Sequence, residues 1–276
     1  MFHYDLFQWI GFFILYCLIG WIGESIYVSI EHKKWVNRGF LHGPFLPIYG
    51  FGAIIILFST LPVRDNVILT FLLGMLSATV LEYVTGYVME QIFHVKYWDY
   101  TYEPLNLNGY ICLGCSLTWG ICAILLTQLI HKPVERFLLH IPNMVLSICD
   151  MVFVVYFIWD VIASAQEAFD LKKMILANED VQRLQKRLDI IIAVAEDDKA
   201  RLEERIAEIK LENRAEVEYI MDRLKAARES LNEKYGKSGK KAYHILKRNP
   251  GAVSKRHGLG FDAIRKIINN NNNDNL

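Results

Sequence analysis

Charge is what the first part of this chain lacks. Residues 1–170 carry only 7 Lys and Arg against 13 Asp and Glu, whereas residues 171–276 carry 23 against 17. The net charge of zero over 276 residues therefore hides an acidic, apolar, aromatic half and a basic half rich in Glu, Lys, Arg, Leu and Ile. A shift this sharp near residue 170 marks a domain boundary. Cysteine is also sparse: Cys17, Cys112, Cys115, Cys122 and Cys149 all sit in apolar stretches. They read as small buried hydrophobes, which excludes a secreted disulfide framework. Cys112 and Cys115 form a C-x-x-C, but no second pair or histidine pattern accompanies it, so no metal or other cofactor is expected. No basic n-region precedes the apolar run from Leu6, and no small-x-small cleavage site follows it, so the segment reads as a retained helix. No G-x-x-x-x-G-K-[ST] loop occurs, which excludes that mode of ATP binding. No H-E-x-x-H and no nucleophile–base arrangement occurs, so the chain is not expected to be an enzyme.

What is present is apolar length. A bilayer core about 30 Å thick needs roughly 20 mostly apolar helical residues. Five stretches qualify or come close: 6–30, 45–61, 67–93, 110–130 and 141–163. The second is the shortest and holds Pro47, Gly50 and Gly52, so it reads as a tilted span or as partly re-entrant. The expected fold is all-α: a polytopic transmembrane bundle of about five spans over 1–170, a long cytoplasmic coiled-coil helix over 171–235, and a basic, partly disordered tail over 236–276. Lys33, Lys34 and Arg38 in the first loop, Lys96 in the third, and Lys172 and Lys173 after the last span outnumber Arg64, Lys132 and Arg136 on the other side. This bias predicts an outside N-terminus and a cytoplasmic C-terminus in the cell membrane.

Ionisable residues within such spans are costly and point to function. Glu24 lies in the first span, Glu82 near the middle of the third and Asp150 near the middle of the fifth, while Glu90 and Asp160 lie closer to helix ends. Thr79, Glu82, Gly86 and Glu90 share one face, because residues three and four apart align on a helix. Glu24 and Glu82 are therefore candidates for a polar interior that contacts an ion, a proton or a substrate. The plainer reading is that each is a buried carboxyl satisfied by neighbouring groups.

Two connections are unusual. Asn37-Arg38-Gly39-Phe40-Leu41-His42-Gly43-Pro44-Phe45-Leu46-Pro47-Ile48-Tyr49-Gly50-Phe51-Gly52 holds four glycines and two prolines in 16 residues, which predicts irregular, closely packed backbone. Such backbone survives at membrane depth only where protein or a water cavity satisfies it. Tyr97-Trp98-Asp99-Tyr100, followed by Asn106-Leu107-Asn108-Gly109, combines interfacial aromatics with a turn entering the fourth span. It reads equally as an aromatic belt or as a ligand or partner surface.

These two segments, with Leu81–Gly86, Ile111-Cys112-Leu113 and Trp119-Gly120, resemble a bacterial family of multi-span proteins labelled ABC-transporter permeases. The resemblance covers residues 8–130 well and the remainder loosely. It implies a transport role beside a separate ATPase subunit. It carries over Glu24, Asn37, Arg38, Gly39, Gly43, Pro44, Pro47, Tyr49, Gly50, Glu82, Trp98, Asp99, Tyr100, Asn108 and Gly109. His42 departs from the aromatic hydroxyl expected at its position.

From Lys172 to Tyr235 there is neither glycine nor proline. Apolar or small residues recur at Val181, Leu184, Leu188, Ile191, Ala195, Leu202, Ile206 and Ile209, and again at Val217, Ile220, Leu224, Ala227 and Leu231. That is a heptad seam with one stutter through Asn213, and Asp198 occupies a seam position. The seam needs a partner helix. Homo-oligomerisation through a coiled coil comes first, a helical hairpin second and a solvated single helix third. The tail from Gly236 carries nine Lys and Arg against Asp262 and Asp274, enough to attract anionic lipid. No recognition motif interleaves aromatics with those cations, so no nucleic acid is expected. The low-complexity run 269–273 closes the chain. Two functions follow as expectations: a permease-like subunit with a separate energising partner, or a membrane-anchored coiled-coil scaffold at the cell envelope.

Overall fold

The structure, a computed structural model, describes residues 4–197, 219–220, 222–226, 244–258, 260–262 and 264–265, with side chains undescribed over 188–197. The described residues are all helical apart from loops and two isolated bridges. The helices are α1 (Leu6–His32), α2 (Pro47–Thr60), α3 (Val67–Phe93), α4 (Leu113–Leu125), α5 (His131–Leu139) and α6 (Asn143–Asp197). A five-residue π stretch, Leu126–Ile130, joins α4 to α5 without a break. The chain divides into two compact units, Met1–Gln166 with Ile245–Val253, and Glu167–His244 with Ser254–Leu276.

Local chemistry sets the helix ends in the first unit. Asp5 and Gln8 form a capping box at the start of α1, and Asn66 accepts the Leu69 N–H at the start of α3. Lys33 and His94 close the same two helices in the left-handed region, at φ 53° and 59°. Pro47 stands in the first turn of α2, where its missing N–H costs nothing. Cys112 caps α4, its Sγ accepting the Cys115 N–H at 3.2 Å and lying 2.8 Å from the Cys115 Sγ. The C-x-x-C is thus a helix start.

Four helical runs are long and apolar enough to cross a membrane: Leu6–His32, Val67–Phe93, Leu113–Leu139 and Asn143–Arg187. Helix α2 has 14 residues, about 21 Å at 1.5 Å per residue, and falls short of a bilayer core by itself. The irregular segment before it runs beside α1. The Arg38 N–H donates to Ser25, the Leu46 N–H donates to the Cys17 carbonyl, and Trp9 stacks on Phe58. The chain therefore descends alongside α1 from its C-terminal end to its N-terminal end. The sequence left 45–61 open between a tilted span and a re-entrant one. It is a 14-residue helix preceded by irregular backbone with bends over 39–44.

Small residues bring the helices together where bulk would hold them apart. A Cβ on Gly20 would enter the Tyr49 ring, and one on Gly50 would meet Cys17 and Phe13. Gly74 faces Ala123, and Gly120 faces Phe71. The buried stripe of α3 is Thr70, Gly74, Ala78, Glu82 and Gly86, one residue every turn. Phe12, Tyr16, Ile56, Leu57, Ala78, Ala123, Leu126, Leu138 and Leu146 form the core of this unit. Around it, Leu76, Ile121, Val152 and Val155 are exposed, as lipid-facing residues would be.

In the second unit, Val181 and Leu184 pack against Ile220 and Leu224 of the same chain. Seam residues read as facing another copy meet each other here, which is the fold-back arrangement. Glu179 accepts from Arg183 at 2.6 Å and pairs with His257. Asp198, the seam 202–217, Ala227, Leu231 and the asparagine run lie outside the described residues.

Candidate functional site

The polar residues singled out in the sequence gather at one end of the first unit, where the C-terminal end of α1 meets the loops 33–46 and 94–112. Glu24 accepts the Tyr49 hydroxyl at 2.8 Å and faces the Arg38 guanidinium at 3.6 Å. Tyr49 lies in the first turn of α2, and its ring packs on Trp119 of α4 with centroids 5.7 Å apart. Trp119 in turn donates its indole N–H to Glu82 at 2.9 Å. Tyr100 donates its hydroxyl to the other Glu82 oxygen at 3.4 Å. Two intramembrane carboxylates are therefore joined through an aromatic pair. Glu82 is 5% exposed, and its side-chain donors are neutral. Burial, then the charge of Glu82, hold the Tyr100 hydroxyl well above the usual phenol range, with Glu24 adding to the same effect.

Arg38 is a junction. Its Nε faces Glu24, its Nη1 donates to Asn249 at 2.8 Å and its Nη2 donates to the Tyr97 carbonyl at 3.3 Å. Asn37 beside it accepts the Trp21 indole N–H at 2.6 Å and donates to the His42 carbonyl at 2.8 Å. Gly39 has φ 129°, which a side chain would strain.

The descending loop is pinned to α6 by Asp160, which the sequence reading set aside as a near-terminal acid. Asp160 is fully buried. Its Oδ1 accepts the His42 N–H at 3.0 Å and contacts the His42 Nδ1 at the same distance, and its Oδ2 accepts the Gly43 N–H at 2.9 Å. Ser164 completes the set from one turn along the helix, 3.3 Å from Asp160 and 2.8 Å from His42. His42, whose role was in doubt, is thus a partner of the buried acid. A Cβ on Gly43 would meet the Tyr156 hydroxyl and Asp160. Pro44 is exposed, with the turn on either side of it packed. The signal for Asp160 was the Asp-x-x-x-Ser spacing on one helix face, opposite a loop with amide groups to satisfy.

The second loop is organised around buried Lys96. Its ammonium donates to the Asn108 carbonyl at 2.5 Å, lies 3.7 Å from Glu90 and 3.9 Å from Asp99, and sits 4.4 Å from the Tyr110 ring centre. Asp99 accepts from the Thr101 N–H and hydroxyl. Trp98 donates to the Tyr110 carbonyl at 2.9 Å, and Asn108 donates to the Tyr83 hydroxyl at 3.0 Å. Asn108 and Gly109 take φ of 54° and 72°, the left-handed pair that turns the chain into α4. Trp98, Asp99, Asn108 and Gly109 therefore build this loop, while Glu24, Arg38, Tyr49 and Glu82 form the polar interior. Asp150 is buried, with an Oδ2 that has no hydrogen-bond partner, and stands apart from both. Among the described residues, no three His, Cys, Asp or Glu side chains converge in a metal-holding group.

A further polar cluster escaped the sequence reading. Just past the π stretch, buried His131 contacts the Tyr16 hydroxyl at 2.8 Å through Nδ1 and the Tyr4 hydroxyl at 3.2 Å through Nε2, and Tyr4 also reaches Glu135. It lies toward the opposite end of α1 from Glu24.

A bundle of apolar helices with paired carboxylates and an arginine inside it defines a polytopic membrane protein of transporter-like build. The chain belongs to the family described as "Putative ABC-transporter type IV", which it matches over residues 11–165. That span includes every residue of the polar interior, both loops, Asp160 and Ser164. No curated protein and no solved structure matches the chain.

Proposed function

We propose that the chain is the non-catalytic, membrane-spanning, permease-like subunit of a transporter, lodged in the cell membrane with its C-terminal half in the cytoplasm. A separate ATPase subunit energises it. The observation that carries this reading is the union of Glu24 and Glu82 through Tyr49, Trp119 and Tyr100, with Arg38 against the first carboxylate. Ionisable groups inside a bundle cost several kcal/mol, so a chain that keeps Glu82 buried and Glu24 partly exposed beside Arg38 has a use for them. A structural fastening needs one carboxylate, as at Asp160, and does not need two joined by aromatic donors. The chain holds no G-x-x-x-x-G-K-[ST] loop, which supports a reading in which a separate subunit hydrolyses the nucleotide.

The test is affinity purification of the full chain from native membranes, followed by ATPase measurement on the complex. An ATP-binding-cassette subunit should copurify. Glu24→Gln and Glu82→Gln should each leave assembly intact and lower turnover at least about tenfold, a loss of about 1.4 kcal/mol of coupling. Unchanged turnover in both variants overturns the role of the carboxylates. Copurification of envelope-synthesis or division proteins alone would establish the second reading, a membrane-anchored scaffold. That reading is favoured by α6, whose 55 residues extend about 80 Å and exceed what one crossing needs.

A further inference from the structure

The segment Ile245–Val253 belongs to the compact unit of the membrane helices, although no family-matched residue lies within it. It is bonded at two points to two different loops. At the first, Asn249 is 3% exposed and every polar atom of its carboxamide is used. Its oxygen accepts from Arg38 at 2.8 Å, and its nitrogen donates to the Gly39 and Ile245 carbonyls, each at 3.0 Å. Arg248 beside it donates to the Phe40 carbonyl at 3.4 Å. At the second point Val253 and Lys96 exchange both backbone hydrogen bonds, at 2.9 and 2.8 Å, as an antiparallel pair. Between them a Pro250-Gly251 turn is closed by the Ala252 N–H on the Asn249 carbonyl at 3.0 Å.

Phe40 and Tyr97, with rings 5.6 Å apart, line the same surface. The segment ends a short helix over 244–248, turns, and pairs at Val253, and the surface meets it with backbone groups to pair, a carbonyl for the Asn249 amide and an aromatic floor. Arg38 is common to this surface and to the carboxylate site, through Nη1 on one side and Nε on the other.

We propose that Ile245–Val253 is an internal peptide ligand of the two-loop surface, and that Asn249 is a positioning residue that fixes Arg38 against Glu24. Docking of the segment and the state of the carboxylate site are thereby coupled. By linkage the coupling runs both ways: a change at Glu24 alters how firmly the segment is held. The proposal concerns this coupling alone and does not depend on what the interior carries.

The test uses the full chain with Ala252→Cys, a position 2% exposed when the segment is docked. The rate of labelling by a water-soluble maleimide is read by mass spectrometry on the peptide carrying residue 252, so the native cysteines do not interfere. The unaltered background should label slowly. Asn249→Ala should raise the rate about tenfold, the response to losing a buried charge-assisted hydrogen bond. Glu24→Gln should raise it several-fold without touching the segment. Glu135→Gln, a polar loss in the same unit away from this surface, should leave it unchanged. Fast labelling in the background, or no response to Asn249→Ala, overturns the docking. An unchanged rate in Glu24→Gln, or an equal rise in Glu135→Gln, overturns the coupling.

Discussion

At the scale of single residues, the buried polar groups divide into fasteners and an interior. Asp160 is the clearest fastener: three groups of the descending loop and Ser164 converge on one carboxylate. Asp160→Ala should cost about 3–5 kcal/mol, the range for removing one partner of a buried charged network. It should appear as a large fall in the melting midpoint of the detergent-solubilised protein and as faster proteolysis within residues 37–46. Gly109→Ala should cost about 1–2 kcal/mol for the left-handed backbone, plus the contact its Cβ makes with Asp99 and Thr101, in the same melt. The loop tyrosines give a pH prediction. Burial raises the Tyr97 and Tyr100 hydroxyls, with Arg248 opposing the effect at Tyr97. The folded chain therefore keeps both phenols protonated above about pH 10, where the unfolded chain ionises, and this contribution to stability falls as pH rises through that value. In an absorbance titration of the folded protein, Tyr97→Phe and Tyr100→Phe should leave the transition near pH 10 unchanged. A loss of amplitude there would show those hydroxyls to be ordinary.

At the scale of elements, the sequence reveals where helices run and conceals how they touch. Apolar length alone locates α1, α3 and the first part of α6, because each must satisfy its backbone internally across a bilayer, whereas the fourth run, expected over 110–130 with Lys132 and Arg136 in the next loop, continues through both to Leu139. The second apolar stretch resists this reading, since the loop that leads into α2 is held by side chains of α1 and α6 rather than by helical bonds. Glu24 and Glu82 were legible as charges in apolar runs. Their union was not, because Tyr49 and Trp119 look like ordinary aromatics until the helices are packed. His131 was missed for the same reason, as its partners stand on α1 and before it. Close approach is set by glycine, and that can be tested as a pair. Gly74→Ala should destabilise by about 1–3 kcal/mol through overlap with Ala123. Adding Ala123→Gly should recover part of the loss, and a double-mutant cycle by thermal unfolding measures the coupling.

At the scale of the whole molecule, a short apolar helix led in by an irregular loop has a consequence for how the protein is made. A ribosome delivers Arg38 and the glycine-rich backbone long before the acid that holds them, because His42 and Asp160 stand 118 positions apart. Until α6 emerges, the loop's amide groups have no carboxylate to meet, and until residue 249 is made its arginine lacks one of its partners. The nascent chain is therefore expected to keep residues 37–46 within reach of water, with the loop and α2 settling only after α6 is synthesised. Nascent chains stalled before residue 160 should leave Leu41→Cys, a position 1% exposed in the folded chain, open to aqueous reagents, and chains released after residue 166 should shield it.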